Sequence, residues 1–287
     1  MNVERCLKGP SCTVNTISVA PNSSTSTKTY FWTKSFSKEY IADLSASNMD
    51  GRTITNGDIR ICYPKLVGSH LVWGPFEKAY SLWDVLVEAD PERLLFEMPP
   101  VFRLLGVQLH DLHSKDTNGQ AFVTHHYDEE LSSYWNVAIE EAEKRNITIP
   151  KRPLYQHKNL IHGSFGLGSL NYDDELSIFG WEKSGVGDPL FDLSFLLSEL
   201  LEMHCTLGKE KSQALILLAK EFCDSYYGQN GANRDERLAL NELVIRKAVI
   251  HLVMFGFFFE EWDVAVDRIC EVKSKGTEFL LAAGIGP

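Results

Sequence analysis

The hydrophobic pattern of the chain changes once, close to Phe76, and this change constrains the fold more than any other feature. Before it, stretches rich in β-branched and aromatic residues alternate with Ser-, Thr-, Asn- and Gly-rich turns, as in residues 28–36, 59–69 and 70–76. After it, apolar residues recur at helical spacing, as in residues 189–204. The pattern predicts an α+β chain in which strands come first and long helices follow.

One stretch, residues 161–182, breaks the helical pattern and predicts a strand, a turn at Asp173 and Asp174, and a second strand. Aspartate is favoured at such turns because its carboxylate bonds to the local backbone. We therefore predict a sheet-rich lobe over residues 1–76 and a helical lobe over residues 77–287, with this hairpin embedded in the second lobe.

The composition is that of an ordinary globular protein. With 287 residues, 44% of them hydrophobic, the chain can bury one large core or two joined lobes. Its formal net charge is −11. A surface of this sign disfavours sequence-independent binding of nucleic acid, because such binding needs Lys and Arg to neutralise phosphates. The composition excludes a disordered or fibrous chain and predicts no nucleic-acid partner.

No stretch of the sequence indicates a targeting signal or a membrane span. The first ten residues contain no apolar run after their charged residues, whereas a secretory signal would. The longest apolar run, residues 249–259, is too short to cross a bilayer, and it contains His251. We expect a buried core helix at this run, no membrane partner and a cytoplasmic location.

The cysteines and histidines do not form a recognisable metal or disulfide pattern. The six cysteines are scattered, without a C-x-x-C pair, and reduced thiols are the expected state. His110 and His113 are three positions apart in a helical pattern, which can place both on one helix face. Because no third ligand follows at a defined spacing, helix packing and solvation are the roles that we predict for them.

Motifs in and after the hairpin region carry a resemblance to a known family. Residues 162–171 read HGSFGLGSLN, residues 179–182 read FGWE, and residues 187–193 read GDPLFDL. They resemble the motifs H-G-D-x-x-x-x-N, I-D-W-E and G-D-P-x-x-D-L of the aminoglycoside phosphotransferase and choline kinase family. The stretch LGVQLHDLHS, at residues 105–114, similarly resembles the L-x-x-L-H pattern of that family. The resemblance implies a two-lobed protein-kinase-like fold, with a small antiparallel-sheet N-lobe and a large helical C-lobe.

Three positions depart from the family's phosphoryl-transfer pattern. The resemblance implies an acceptor-orienting base at Ser164, a second metal ligand at Ser169 and the main metal carboxylate at Gly180. A serine hydroxyl has no anionic form near neutral pH with which to take a proton. Magnesium prefers carboxylate oxygens in addition to those of phosphate. We predict that ordinary kinase catalysis is lost and that the chain holds no metal.

The residues that match the family's pattern are mostly structural. The resemblance implies that Asp192, near the start of a helix, bonds back to the backbone of the catalytic loop, and that Asp188 and Pro189 begin that helix. Proline and acidic side chains suit the first turn of a helix, where N–H groups are exposed. The resemblance implies the same framework role for His162.

Nucleotide binding is a separate question from catalysis. Residues 28–36 resemble the strand that carries the family's nucleotide-binding lysine, which places Lys34 in that role. An ordinary solvated lysine is an equally good interpretation. The usual partner carboxylate is not evident, since Glu39 follows too closely and Asp43 or Asp50 would be an unusual substitute. ATP therefore stays open as a cofactor, whereas magnesium is not expected.

Three functions stay open at the level of sequence. The first is a pseudokinase-like accessory protein that binds a small molecule, peptide or protein in the cleft between its lobes or on its helical surface. The second is a repurposed enzyme with non-kinase chemistry in the old cleft, for which the polar groups to test are His162, Ser164, Ser169, Glu182 and Lys183. The third is a residual phosphotransferase whose metal ligands have moved to neighbouring residues.

Overall fold

A computed structural model of the chain describes residues 30–35, 51, 53–56, 59–63, 65–67, 70–76, 80–115, 133–153, 158–172, 175–181, 184–228 and 231–286. The chain divides into two compact units. Unit 1 is formed by residues 1–88 together with residues 164–184, and unit 2 is formed by residues 89–163 and 185–287.

The described part of unit 1 contains two small sheets. An antiparallel sheet has the order β1 (Tyr30–Ser35), β5 (His70–Phe76) and β4 (Lys65–Val67). A four-stranded sheet has the order β2 (Thr53–Asn56), β3 (Ile59–Cys62), β8 (Leu176–Ile178) and β7 (Leu170–Tyr172). Its β2–β3 and β7–β8 pairs are antiparallel, whereas β3 and β8 run parallel, with Ile59 opposite Leu176. This sheet therefore joins strands that are far apart in sequence.

The strand predictions are confirmed at residues 28–36 and 70–76, which contain β1 and β5. Residues 59–69 instead form two strands, β3 and β4, which belong to different sheets. The intervening proline at position 64 has no N–H to donate to a strand ladder, so a break there is expected. The predicted turn residues Asp173 and Asp174 lie outside the described residues.

A helix of unit 1, α1 (Leu82–Glu88), begins with a reciprocal pair of hydrogen bonds. The Asp84 backbone N–H donates to Ser81 Oγ at 3.1 Å, and the Ser81 backbone N–H donates to Asp84 Oδ2 at 3.2 Å. This arrangement is a capping box, which satisfies N–H groups that the first turn of a helix leaves without partners.

Unit 2 is mainly helical. Its helices are α2 (Pro91–Phe96), α3 (Met98–His113), α4 (Ser133–Lys144), α5 (Pro189–Thr206), α6 (Lys209–Tyr227), α7 (Arg234–Phe259) and α8 (Trp262–Ala282). Side-chain caps mark the beginnings of two of these helices. Asp90 accepts a hydrogen bond from the Arg93 backbone N–H at the start of α2, and Asn233 accepts one from the Glu236 backbone N–H at the start of α7. Two prolines, Pro99 and Pro100, lie in the first turn of α3, where a missing N–H breaks no helical hydrogen bond.

Helices α3 and α6 approach each other closely at Gly106. A Cβ atom at this position would lie 2.9 Å from Ser225 Cβ and 3.0 Å from Tyr226 N, and closer still to the carbonyl oxygen of Phe222. Two of these three atoms belong to the backbone of α6, so a side chain at this position has no room. Glycine allows this approach because it has no Cβ.

The apolar run at residues 249–259 forms the last part of α7, and its residues 252–256 are buried, as predicted for a core helix. Phe257, near the end of the helix, is partly exposed. Among the helices of the described parts of the chain, none is long and apolar enough to span a membrane.

The predicted α+β class, with small sheets and a large helical part, is confirmed. The lobes predicted over residues 1–76 and 77–287 stay a prediction. Residues 164–184 share unit 1 with the N-terminal strands, since β8 of the hairpin pairs directly with β3.

Candidate functional site

The first of the three motifs, residues 162–171, begins at the end of a short strand in unit 2. β6 (Asn159–Ile161) pairs antiparallel with β9 (Gly185–Gly187), with Ile161 opposite Gly185. His162 follows β6 directly, and Asp188 follows β9 directly. The two-stranded ladder therefore ties the start of the first motif to the segment from which α5 begins.

Helix α5 begins at an aspartate–proline pair. The Asp188 carboxylate accepts a hydrogen bond from the Leu190 backbone N–H at 3.0 Å, and Pro189 occupies the first helical position. Proline fits there because its fixed φ suits the helix and the first N–H groups have no helical partner. This start orients the first turn of α5, which carries Asp192.

Asp192 is fully buried, and its carboxylate holds the backbone of the first motif. Oδ2 accepts from the His162 backbone N–H at 2.6 Å, and Oδ1 accepts from the Gly163 backbone N–H at 2.8 Å. His113 Nε2 lies 3.1 Å from Oδ2. Gly163 has a φ of +79°, a conformation that glycine adopts without a steric penalty.

The charged form of Asp192 is favoured in the fold. Burial by itself raises the pKa of Asp192, because removal from water disfavours the anion. The hydrogen bond from His113, the electrostatic attraction of the His113 and His162 side chains, and the His162 backbone N–H act in the opposite direction. Together they hold the pKa of Asp192 below its ordinary value. The carboxylate is therefore an anion that only accepts hydrogen bonds, so His113 Nε2 carries a hydrogen.

The structure separates two histidines for which the sequence predicts the same roles. The His110 side chain is 55% exposed, whereas that of His113 is 4% exposed and contacts Asp192. In addition, Asn159 Nδ2 donates to the backbone carbonyl of His113 at 2.7 Å. The helical pattern alone does not separate them: His113 lies four residues after the buried Leu109, and His110 lies four residues after the buried Gly106.

In unit 1, the hydroxyl of Ser169 closes the loop of the first motif on itself. Ser169 Oγ lies 2.8 Å from the carbonyl oxygens of Ser164 and Gly166, and it accepts from the Gly166 backbone N–H at 3.2 Å. The Ser169 backbone N–H also donates to the Gly166 carbonyl, at 2.9 Å. The side chain at the second metal position of the resemblance is thus engaged with the backbone of its own loop.

Replacing Ser169 with alanine is expected to lower the free energy of unfolding by about 1–3 kcal/mol, the usual cost of leaving a buried polar group without its partner. Chemical denaturation monitored by tryptophan fluorescence measures the change. The matched control is Ser164→Ala, because the contact of Ser164 with Ser169 uses the backbone carbonyl. Equal destabilisation by both substitutions would contradict the role assigned to the Ser169 hydroxyl.

The segment at the main metal position, residues 179–181, is held by apolar and backbone contacts. Trp181 is buried, stacks on Tyr63 with ring centroids 6.1 Å apart, and donates from Nε1 to the Ile178 carbonyl at 3.2 Å. Gly180 has a φ of +89°, which most side chains avoid. This position therefore offers no side-chain ligand for a metal, and an aspartate introduced there would start with backbone strain.

Among the remaining candidate residues, Lys34 lies in β1 opposite Leu71. Glu182 and Lys183 lie outside the described residues, as do the carboxylates considered as partners of Lys34, namely Glu39, Asp43 and Asp50. Roles for these residues stay predictions.

The described residues at the metal positions do not fit a magnesium ion. Magnesium needs hard oxygen ligands, usually carboxylates, in a nearly octahedral arrangement. Position 180 has no side chain, and the Ser169 hydroxyl already bonds to its loop. Across the described parts of the chain, no three His, Cys, Asp or Glu side chains lie together so that they could hold a metal ion.

Neither a protein-family model nor a curated protein sequence matches the chain. Among solved structures, it is similar to choline kinase LicA from Streptococcus pneumoniae, with 15% identity, coverage of 91% of this chain and 88% of that chain, and a TM-score of 0.42. It is also similar to amicoumacin kinase hAmiN, with 14% identity, coverage of 91% of this chain and 85% of that chain, and a TM-score of 0.46. A third similar structure is macrolide 2'-phosphotransferase MphH from Brachybacterium faecium, with 13% identity, coverage of 90% of this chain and 91% of that chain, and a TM-score of 0.42.

Proposed function

We propose that this chain is a catalytically degenerate phosphotransferase-like protein, a pseudokinase, that acts as a binding or accessory protein. The observation that carries the proposal is the hydrogen bonding of Ser169. At the position where the resemblance implies a metal ligand, the hydroxyl bonds to the carbonyl of Ser164 or Gly166 and to the N–H of Gly166. The hydroxyl at this position is therefore already bonded to the backbone of its own loop.

The chemistry of phosphoryl transfer supports the same proposal. The reaction requires metal ions against the phosphates and a group that orients the attacking hydroxyl. Ser164 cannot act as a carboxylate base, and Gly180 has no carboxylate with which to coordinate a metal. In contrast, the contacts of Asp188 and Asp192, which order the backbone, are present. The proposed protein therefore retains the framework and lacks the reacting groups.

The proposed ligand is a small molecule, a peptide or a protein. None of the described contacts favours the alternative of non-kinase chemistry. Among its candidate groups, His162 is fully buried in unit 2, and Ser169 is buried in unit 1 with its hydroxyl bonded to the loop. Buried groups of this kind support a structural role better than contact with a substrate.

A thermal-unfolding titration with ATP, with and without magnesium, tests the proposal. We expect no magnesium-dependent rise in Tm, because the described metal positions supply no carboxylate. A ligand at one hundred times its Kd would stabilise the folded state by about 2.7 kcal/mol, so a real complex is easily detected. A rise that does not depend on magnesium fits a nucleotide-binding pseudokinase. A magnesium-dependent rise, or phosphate transfer by the unaltered chain, would contradict the proposal.

A second experiment repeats this titration on a variant that restores the family's groups, Ser164→Asp with Ser169→Asn and Gly180→Asp. If magnesium-dependent ATP binding or hydrolysis appears only in this variant, the three missing groups explain the loss. The variant must first be shown to fold, because the positive φ at position 180 costs a non-glycine residue about 1–3 kcal/mol.

A further inference from the structure

Lys247, on α7 of unit 2, is a buried cation. The residue is only 2% exposed, although lysine is almost never fully buried unless it has partners. Its Nζ atom lies 3.8 Å from the centroid of the Phe191 ring and 4.1 Å from that of the Phe195 ring. Both distances are well within the range of about 6 Å over which the face of an aromatic ring attracts a cation. The ammonium group therefore faces two aromatic rings at once.

The periodicity of α5 brings the two rings together. Phe191 and Phe195 are four residues apart and therefore lie on one face of the helix. Glu199, which is also buried, continues this face after a further four residues. Aromatic faces are the groups with which proteins recognise organic cations, and a carboxyl group suits the same kind of ligand. This face of α5 thus has the composition of a cation-binding surface.

The contact one turn further along α7 fixes how α7 lies on α5. His251 follows Lys247 by four residues, and its ring centroid lies 5.4 Å from that of Phe195. His251 Nδ1 also lies 3.2 Å from Glu202 Oε1 on α5. These contacts set the register of α7 on α5 independently of Lys247, and this register places the Lys247 side chain at the two rings.

A lysine at this buried position needs a physical reason. Burial of a charged group is costly because the group loses its solvation by water. Apolar side chains of similar volume often replace buried charges without loss of stability, and some even raise it. The two rings provide the reason, because the attraction between a cation and an aromatic face is strongest where water is excluded.

We propose that Phe191 and Phe195 form a binding site for a primary alkylammonium group and that Lys247 is the intramolecular ligand of this site. The site lies between α5 and α7, and the chain itself fills it in the folded state. An external alkylammonium ion can therefore enter only where the lysine side chain has been removed. This proposal does not depend on the proposed function, because it concerns a contact within unit 2 and involves no nucleotide.

Chemical rescue of Lys247→Ala in the full chain tests the proposal. This substitution removes three carbons and the ammonium group, which are the heavy atoms of n-propylammonium. In thermal unfolding at constant ionic strength, we expect propylammonium to raise the Tm of this variant saturably. Its Kd should be about tenfold lower than that of 1-propanol, a neutral molecule of the same shape, because only the cation is attracted by the rings.

Two proteins serve as controls for the rescue. The unaltered chain should not respond, because its site is filled, and neither should Lys275→Ala, which removes a half-exposed lysine of α8. Equal effects of propanol and propylammonium on Lys247→Ala would reveal a plain apolar cavity and overturn the proposal. The absence of rescue in a folded Lys247→Ala, or the same rise in Lys275→Ala, would overturn it as well.

A double-mutant cycle with Lys247→Met and Phe195→Leu decides the matter if Lys247→Ala does not fold. Methionine retains an unbranched side chain without a charge, and leucine retains an apolar side chain without a ring. We expect Phe195→Leu to lower Tm by about 3 °C more in the unaltered chain than in Lys247→Met, because only the ammonium group is attracted by the ring face. The contact of Phe195 with His251 is present in both backgrounds and cancels. Equal falls in Tm would show that the rings merely pack against the lysine stem, and would overturn the proposal.

Discussion

Replacing Gly106 with alanine is expected to lower the free energy of unfolding by about 3 kcal/mol, at the upper end of the usual cost of overpacking. The added methyl group would meet the Phe222 carbonyl oxygen and the Tyr226 backbone nitrogen. Backbone atoms cannot move aside as the end of a flexible side chain can, so α3 and α6 must separate. For a chain of 287 residues the change corresponds to a fall in Tm of roughly 5 °C, measurable by differential scanning calorimetry.

The matched control for this substitution is Gly168→Ala. A Cβ at Gly168 would have no atom within 4 Å, and we expect its effect to stay within about 0.5 kcal/mol. At an uncrowded helical position, alanine is more favourable than glycine by about 1 kcal/mol. A stabilising effect of Gly106→Ala would therefore show that α3 and α6 do not approach as closely as described.

Replacing Asp192 with alanine is expected to lower the free energy of unfolding by about 3–5 kcal/mol. This is the usual cost of removing one partner of a buried charged pair. The substitution leaves the N–H groups of His162, Gly163 and His113 buried without their acceptor. Asp188→Ala is the matched control on the same helix; it removes a half-buried N-cap bond and should cost only about 1 kcal/mol. Urea denaturation of the three proteins measures both values, and equal losses would contradict the central role of Asp192.

The pH dependence of the Asp192 effect has a definite sign. The pKa of Asp192 lies below its ordinary value in the folded state, so the unfolded chain binds its proton at higher pH than the folded chain does. The contribution of Asp192 is therefore complete above the unfolded pKa of about 3.9 and is lost as the pH falls through the lower, folded value. We expect the stability difference between the unaltered chain and Asp192→Asn to be constant above about pH 5 and to shrink on further acidification. A difference that grows towards low pH would contradict the lowered pKa.

Most helix positions are predictable from the sequence because their signals are local. The Asp188–Pro189 pair begins α5 at the position that the sequence indicates. Helices α4 and α6 likewise lie where apolar residues recur at helical spacing. In each case a few neighbouring residues determine the backbone conformation, so that no knowledge of the rest of the fold is needed.

The details of the candidate site are harder to predict from the sequence, because they depend on side-chain directions and on partners that are distant in the chain. The sequence shows a serine at position 169 but not that its hydroxyl bonds to the carbonyl of Ser164 or Gly166. It shows two histidines on α3, and only the packing of α3 against α5 and α6 selects His113 as the partner of Asp192. The parallel pairing of β3 with β8 has no local signal, because strand register is set by contacts between remote segments.

That parallel pairing also governs the order in which the chain can assemble. Leu176 lies 117 positions after its partner Ile59. At a synthesis rate of about 5–20 residues per second, β3 would wait roughly 6–23 seconds on the ribosome for β8 to appear. Closing so long a loop is slow in refolding as well, since its entropy is lost before the pairing stabilises the sheet. A nascent or truncated chain that ends before β7 therefore exposes an edge of β3 on which strands of other chains can add.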